Sequence, residues 1–110
     1  MLPGRLVCIR VDRRESVAVV RVSGDLDLAS ADEFAADVAE AAKKSSHVVI
    51  DLGGVGFVDC AALHALERAL ADARHSHVRL EITGLQPQVA RVVRLAGEDL
   101  QLPIVDRPTF

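Results

Sequence analysis

The chain has 110 residues, of which 50% are hydrophobic and 26% charged, and its net charge at pH 7 is −3. This composition fits one globular domain, residues 1–110, whose core needs no metal or disulfide to be stable. Basic residues are scattered along the chain and the aromatic residues are three phenylalanines. We therefore exclude binding to a nucleic-acid backbone and stacking on bases.

The N terminus and the cysteines indicate the cellular compartment. Residues 1–5 contain neither a charged leader nor an apolar signal core, and the apolar stretches are too short to span a membrane. Cys8 and Cys60 are too far apart for a CxxC motif, and the four histidines form no ligand set with them. We expect a cytoplasmic protein with reduced thiols, no cofactor, no metal and no membrane partner.

Two strands are predicted to open the chain, followed by a helix. Residues 6–12 and 17–23 are mainly apolar, and the polar residues 13–16 between them have the length of a hairpin connection. A helix is predicted to start at Ser30, because Ser30 and Glu33 have the spacing of a capping box. Its apolar face is expected to contain Ala31, Phe34, Ala35, Val38 and Ala42.

The middle of the chain predicts a buried strand and a second helix. The apolar run Val48-Val49-Ile50 within residues 47–52 favours a strand that is buried on both faces, as at the centre of a sheet. The glycine-rich residues 53–58 are interpreted as a turn followed by a short hydrophobic approach to Asp59. A second amphipathic helix then runs to about Arg74.

The last third completes an alternation of strands and helices. Residues 78–82 predict a fourth strand, Pro87 favours the first turn of a third helix, and Gly97 favours its end. The inner face of this helix is expected to contain Val89, Val92, Val93 and Ala96. Residues 102–105 are predicted to form a short strand or an extended tail. The alternation predicts an α/β fold, a mostly parallel sheet of four to five strands with an antiparallel N-terminal strand and helices packed on it.

Sites in such folds lie beyond the carboxyl ends of the strands, which selects residues 23–29, 53–62 and 83–86. Asp25, Asp27 and Asp59 in these loops can meet, although Asp27 can instead form a turn and Asp59 can cap the second helix. Carboxylates alone do not supply the base and nucleophile of a hydrolase, so we expect no enzyme. A thiol nucleophile formed by Cys60, with His64 four residues later, is the alternative.

Four segments occur in the order and spacing of a known family. They are Ser23-Gly24-Asp25-Leu26-Asp27, Val48-Val49-Ile50-Asp51-Leu52, Phe57-Val58-Asp59 followed by small residues and Leu63, and Gly84 with Pro87-Gln88-Val89 and Arg91-Val92-Val93-Arg94-Leu95. Together they resemble the STAS domain, and more closely the bacterial anti-sigma factor antagonists. The resemblance implies a domain that binds an anti-sigma factor of the Ser/Thr kinase type and frees the sigma factor.

The phosphorylation loop of that family differs in this chain. The family loop reads Asp-Ser-Ser-Gly or Asp-Ser-Thr-Gly, and the kinase partner phosphorylates its first hydroxyl. Aligning Asp59 with the family aspartate places Cys60 at the acceptor, Ala61 at the second hydroxyl and Ala62 at the glycine. A thiol is a poor acceptor, so we predict that phosphorylation at this position does not switch the protein off.

The partner-binding surface is expected to combine the acidic loop with the start of the second helix. Its residues are Asp25, Asp27, Asp59, Cys60, Ala61, Ala62, Leu63, His64 and Glu67. The charged residues on the helix can equally form an ordinary solvated face. Cys60 has three interpretations: a serine replacement in a permanently active antagonist, an inert half-buried residue, or a redox input.

Two alternative functions keep the same fold. The chain can be a STAS subunit of a larger sensory complex, or a module that binds a small anion at a helix N terminus. We expect a monomer or weak dimer.

Overall fold

A four-stranded sheet carries three helices in the computed structural model, which describes residues 7–97 and 102–107. The elements are β1 Val7–Arg14, β2 Val17–Leu26, α1 Ala31–Lys43, β3 His47–Val58, α2 Cys60–His75, β4 Arg79–Thr83 and α3 Pro87–Gly97. The strands are ordered β1-β2-β3-β4; β1 is antiparallel to β2, and the other two pairs are parallel. The predicted α/β fold with a mostly parallel sheet is confirmed.

The core lies between one face of the sheet and the helices. Val48, Val49 and Ile50 on the central strand β3 are at most 1% exposed, so the prediction of a strand buried on both faces is confirmed. Alternate residues of the strands form one apolar cluster with residues of all three helices. Phe34 of α1 and Leu66 of α2 are among the largest fully buried side chains of this cluster. Burial of this apolar surface is the main force that holds the helices on the sheet.

The hairpin between β1 and β2 is tighter than its sequence suggests. Pairing continues through Arg13 and Arg14, so the connection is the two residues Glu15 and Ser16 instead of residues 13–16. Glu15 has a φ of 52°, a left-handed conformation typical of such short turns. The extra strand residues are exposed and polar, and for that reason the apolar pattern does not include them.

The strands β2 and β3 extend beyond their predicted ends, and the turn expected at residues 53–58 is wrong. After register irregularities, Ser23 pairs with Gly54 and Leu26 pairs with Val58. Gly54 permits this pairing because a Cβ at that position would lie 2.6 Å from the Cβ of Ser23. Gly54 is therefore a glycine because β2 and β3 approach each other closely at this position, and not because the chain turns there.

The helices follow their predicted limits, but three details of their capping and packing differ. Ser30 is the N-cap of α1 without a side-chain capping bond, so the predicted capping box is wrong. On the same helix Ala41 is buried, whereas Ala42 is half-buried. Val92 of α3 is 36% exposed and does not belong to the inner face. The predicted inner position of Ala96 lies outside the side chains that the structure describes.

The segment at residues 102–107 runs along the edge of β4. Ile104 forms a single parallel bridge with Ile82, and the N–H of Val105 donates to the carbonyl of Ile82 at 2.8 Å. Of the two alternatives predicted for residues 102–105, the structure shows the extended tail, with one bridge. Within the described part of the chain, no helix combines the length and apolar character that are needed to cross a membrane.

Candidate functional site

The ends of β2 and β3 bring together the first predicted loop, residues 23–29, and the second, residues 53–62; the third predicted loop is residues 83–86. Leu26 and Val58 are paired in the parallel register, so the residues that follow them, Asp27 and Asp59, stand at the same edge of the sheet. The helices α1 and α2 begin within a few residues of this edge. Sequence order and sheet topology alone therefore place the first loop beside the N terminus of α2.

Asp59 links the first loop to α2 through its two carboxylate oxygens. Its Oδ1 accepts the backbone N–H of Ala62 at 3.0 Å, which caps the helix as predicted. Its Oδ2 accepts the backbone N–H of Leu28 at 3.0 Å. The carboxylate is therefore both a helix cap and a bridge between two segments that are 31 residues apart in the chain.

Side chains of the first loop hold its own backbone. The hydroxyl of Ser30 accepts the N–H of Asp27 at 3.0 Å and donates to the carbonyl of Asp25 at 2.9 Å. The Oδ1 of Asp27 accepts the N–H of Ala29 at 3.0 Å. Asp27 is 5% exposed and its carboxylate builds the turn. The hydroxyl of Ser30 is engaged in this loop, and this explains why it does not cap α1.

The third predicted loop is attached at another position on β3. The side-chain amide of Gln86 donates to the carbonyl of Gly53 at 2.9 Å. The Oδ1 of Asp51 accepts the N–H of Gly53 at 2.8 Å. Gly84 in this loop has a φ of 80°, a conformation that favours glycine. These contacts hold the third loop at Gly53, six residues before Asp59.

The residues predicted to bind a partner differ in their exposure. Three are buried: Asp27, Ala62 and Leu63. Three are half-buried: Asp25, Asp59 and Ala61. Three are exposed: Cys60, His64 and Glu67. Ala62 and Leu63 pack in the apolar core, so their side chains support the start of α2 and are not available for contact from outside.

Leu28 is the residue at this edge that the sequence analysis missed. Its side chain is 78% exposed although it is a large apolar one. A shallow depression of about 440 Å³ separates it from the α2 side chains His64, Glu67 and Arg68. We call the exposed residues Leu28, Cys60, His64, Glu67 and Arg68 the loop–helix surface. A single leucine between an aspartate and an alanine carries no sequence signal for exposure.

The thiols and carboxylates at this edge do not form a metal centre. Among the described residues, no group of three or more histidine, cysteine, aspartate or glutamate side chains is placed to hold a metal ion. Cys60 is the first residue of α2, and both it and Cys8 are exposed free thiols. The interpretation of Cys60 as a half-buried residue is therefore wrong.

The chain matches one family model, and its fold matches those of several solved structures. The model of the STAS domain matches residues 9–107. A crystal structure described as an anti-sigma factor antagonist from Mycobacterium paratuberculosis is 24% identical, with a TM-score of 0.74 over 93% of this chain and 87% of that chain. The cell fate determinant SpoIIAA of Bacillus, in its phosphorylated form, is 14% identical, with a TM-score of 0.71 over 93% of each chain.

The same fold also forms part of a much larger protein. The murine anion transporter Slc26a9 is 19% identical, with a TM-score of 0.74. The match covers 88% of this chain but 17% of the transporter. At these identities the structural likeness shows the fold, and the function has to be argued from the residues of the site.

Proposed function

Because the chain belongs to the STAS domain family, we propose that it is an anti-sigma factor antagonist. In this proposal it binds an anti-sigma factor of the Ser/Thr kinase type through the loop–helix surface and thereby releases the sigma factor. The observation that carries the proposal is the placement of the exposed N terminus of α2 beside the first loop, within a fold that other anti-sigma factor antagonists share.

The chemistry of the loop–helix surface suits contact with a protein. An exposed leucine stands beside a depression whose other wall carries a histidine, a glutamate and an arginine. Protein interfaces commonly combine an apolar centre with a polar and charged rim. Buried Ala62 and Leu63 fix the start of α2 from below, so the surface needs little reorganisation on binding.

The proposal includes the loss of the phosphorylation switch. Residues 57–63 contain no hydroxyl side chain, and Cys60 is exposed. Aligning Asp59 with the family aspartate places Cys60 at the acceptor serine, and this alignment supports the proposal. The serine of the neighbouring loop, Ser30, is 6% exposed and hydrogen-bonded within that loop. Among the described residues, neither 57–63 nor Ser30 therefore offers a kinase partner an accessible hydroxyl, and in this proposal the antagonist stays in its binding form.

A binding titration tests the proposal. The protein is titrated calorimetrically into each kinase-type anti-sigma factor of the same genome, and we expect saturable binding to one of them. Cys60→Glu is expected to weaken that binding at least about tenfold, because it adds a negative charge where the family carries phosphate. Ala71→Glu, at an exposed position farther along α2, is the control and should bind as the unmodified protein does. Absence of binding to every candidate, or equal affinity of the Cys60→Glu variant, contradicts the proposal.

A further inference from the structure

The loop that carries Leu28 is held by hydrogen bonds from its own backbone to side chains. Three consecutive backbone N–H groups each donate to a side chain: Asp27 to the Ser30 hydroxyl, Leu28 to Asp59 and Ala29 to the Asp27 carboxylate, all at 3.0 Å. The carbonyl of Asp27 also accepts the N–H groups of Ser30 and Ala31, at 3.0 and 2.8 Å. The backbone around Leu28 is therefore fixed on both sides.

The side chain on this fixed backbone is exposed and apolar. Leu28 is 78% exposed and borders the depression beside α2. A single exposed leucine is ordinary on a protein surface. Here, however, the backbone that presents it is ordered before any partner binds, which lowers the entropy that binding costs. Binding hot spots lie near the centre of an interface in well-packed pockets, and leucine is not among the residue types most often found there. The case for Leu28 therefore rests on its exposure and on the fixed backbone that carries it.

Asp59 connects this leucine to α2. Its Oδ1 caps the helix at Ala62, and its Oδ2 holds the N–H of Leu28. The hydrogen bond to Leu28 is the contact in this set that crosses from the first loop to the second. Asp59 thereby fixes the position of Leu28 relative to Cys60 and the exposed face of α2.

We propose that Leu28 is the apolar anchor of the loop–helix surface, which enters an apolar pocket of the anti-sigma factor, and that Asp59 is the positioning residue that holds it there. This inference rests on the proposed function and names the part of the surface that gives the affinity. The charged side chains of α2 form the rim around the anchor. The partner must therefore offer an apolar pocket with polar groups at its edge.

The role of Leu28 is tested by truncation. Leu28→Ala is expected to weaken binding to the anti-sigma factor about 30-fold, the size of a typical hot-spot effect. The thermal midpoint should stay unchanged, because the side chain is exposed. Leu95→Ala is the matched control: Leu95 is 81% exposed and lies on α3, away from the depression. An effect of Leu28→Ala that is under threefold, or equal to that of Leu95→Ala, overturns the inference.

The positioning role of Asp59 is tested by a double-mutant cycle. In Asp59→Asn, the amide oxygen still caps α2, but the amide nitrogen cannot accept the N–H of Leu28. We expect about a tenfold loss of affinity in the unmodified background and less than a twofold loss in the Leu28→Ala background. This non-additivity is the readout that a merely structural role does not produce. Additive losses mean that Asp59 acts independently of Leu28, which overturns the positioning role.

Failure of this inference differs from failure of the proposed function. If the unmodified protein binds the anti-sigma factor and Leu28→Ala binds it equally well, the function stands and the anchor is wrong. If the unmodified protein binds no anti-sigma factor, both are wrong. Circular dichroism of each variant confirms that a loss of affinity is not a loss of folding.

Discussion

Replacing Gly54 with alanine is expected to lower the free energy of unfolding by about 2 to 3 kcal/mol. The new Cβ would lie 2.6 Å from the Cβ of Ser23, 3.0 Å from its Cα and 3.1 Å from the carbonyl oxygen of Val22. These atoms belong to or adjoin the β2 backbone and cannot rotate away. The two central strands must separate at this point, just before they present the two loops of the site. Thermal unfolding should show a midpoint lower by roughly 10 °C or more.

Gly56→Ala is the matched control for this substitution. Gly56 lies on the same strand, but a Cβ there would meet nothing closer than the side-chain amides of Gln86 and Gln88, each at 4.0 Å. Its expected effect is within about 0.5 kcal/mol. If Gly54→Ala is as stable as Gly56→Ala, the close approach of β2 and β3 does not explain why glycine stands at position 54.

The second large effect is expected from Cys60→Ser. Incubation with the kinase-type anti-sigma factor and ATP should phosphorylate this variant and leave the unmodified protein unchanged. The variant restores a hydroxyl at the exposed first position of α2, where the helix dipole favours a phosphate. Transfer of the γ-phosphoryl group to the serine oxygen releases ADP. Mass spectrometry detects the added phosphate, and the phosphorylated variant should lose its affinity for the partner.

Cys8→Ser is the control for this experiment. Cys8 is also an exposed cysteine, but it lies on the edge strand β1, opposite Ser23 of β2, and does not belong to the loop–helix surface. A serine there should remain unmodified under the same conditions. Phosphate on the unmodified protein, or on both serine variants alike, contradicts the idea that the switch was lost at Cys60.

The elements of the fold were largely predictable from local patterns, whereas the extension of the strands was not. The run Val48-Val49-Ile50 identified the central strand, because burial on both faces requires apolar residues without alternation. The glycines that follow it look locally like a turn. They belong to β3 because β2 continues beside them, and pairing between residues 31 positions apart, such as Ser23 with Gly54, leaves no local signal.

The candidate site was predictable in its location but not in its details. The cap by Asp59 was predicted from its place before a helix. Its second bond, to Leu28, depends on the sheet register. The capping box failed because the hydroxyl of Ser30 finds closer partners in the loop that precedes it. Helix periodicity can show that Leu63 faces the core, but not which loop residue stays exposed beside it.

Displacement of the sigma factor in the presence of ATP is the most direct test of the proposed antagonist function and of the proposed loss of its phosphorylation switch. Fluorescently labelled sigma factor is bound to the anti-sigma factor, and the protein is added with ATP or with a non-hydrolysable ATP analogue. We predict that the sigma factor is released to the same extent with both nucleotides and stays released over many kinase turnovers. Failure to release it, or recapture of the sigma factor that occurs with ATP alone, would contradict this function.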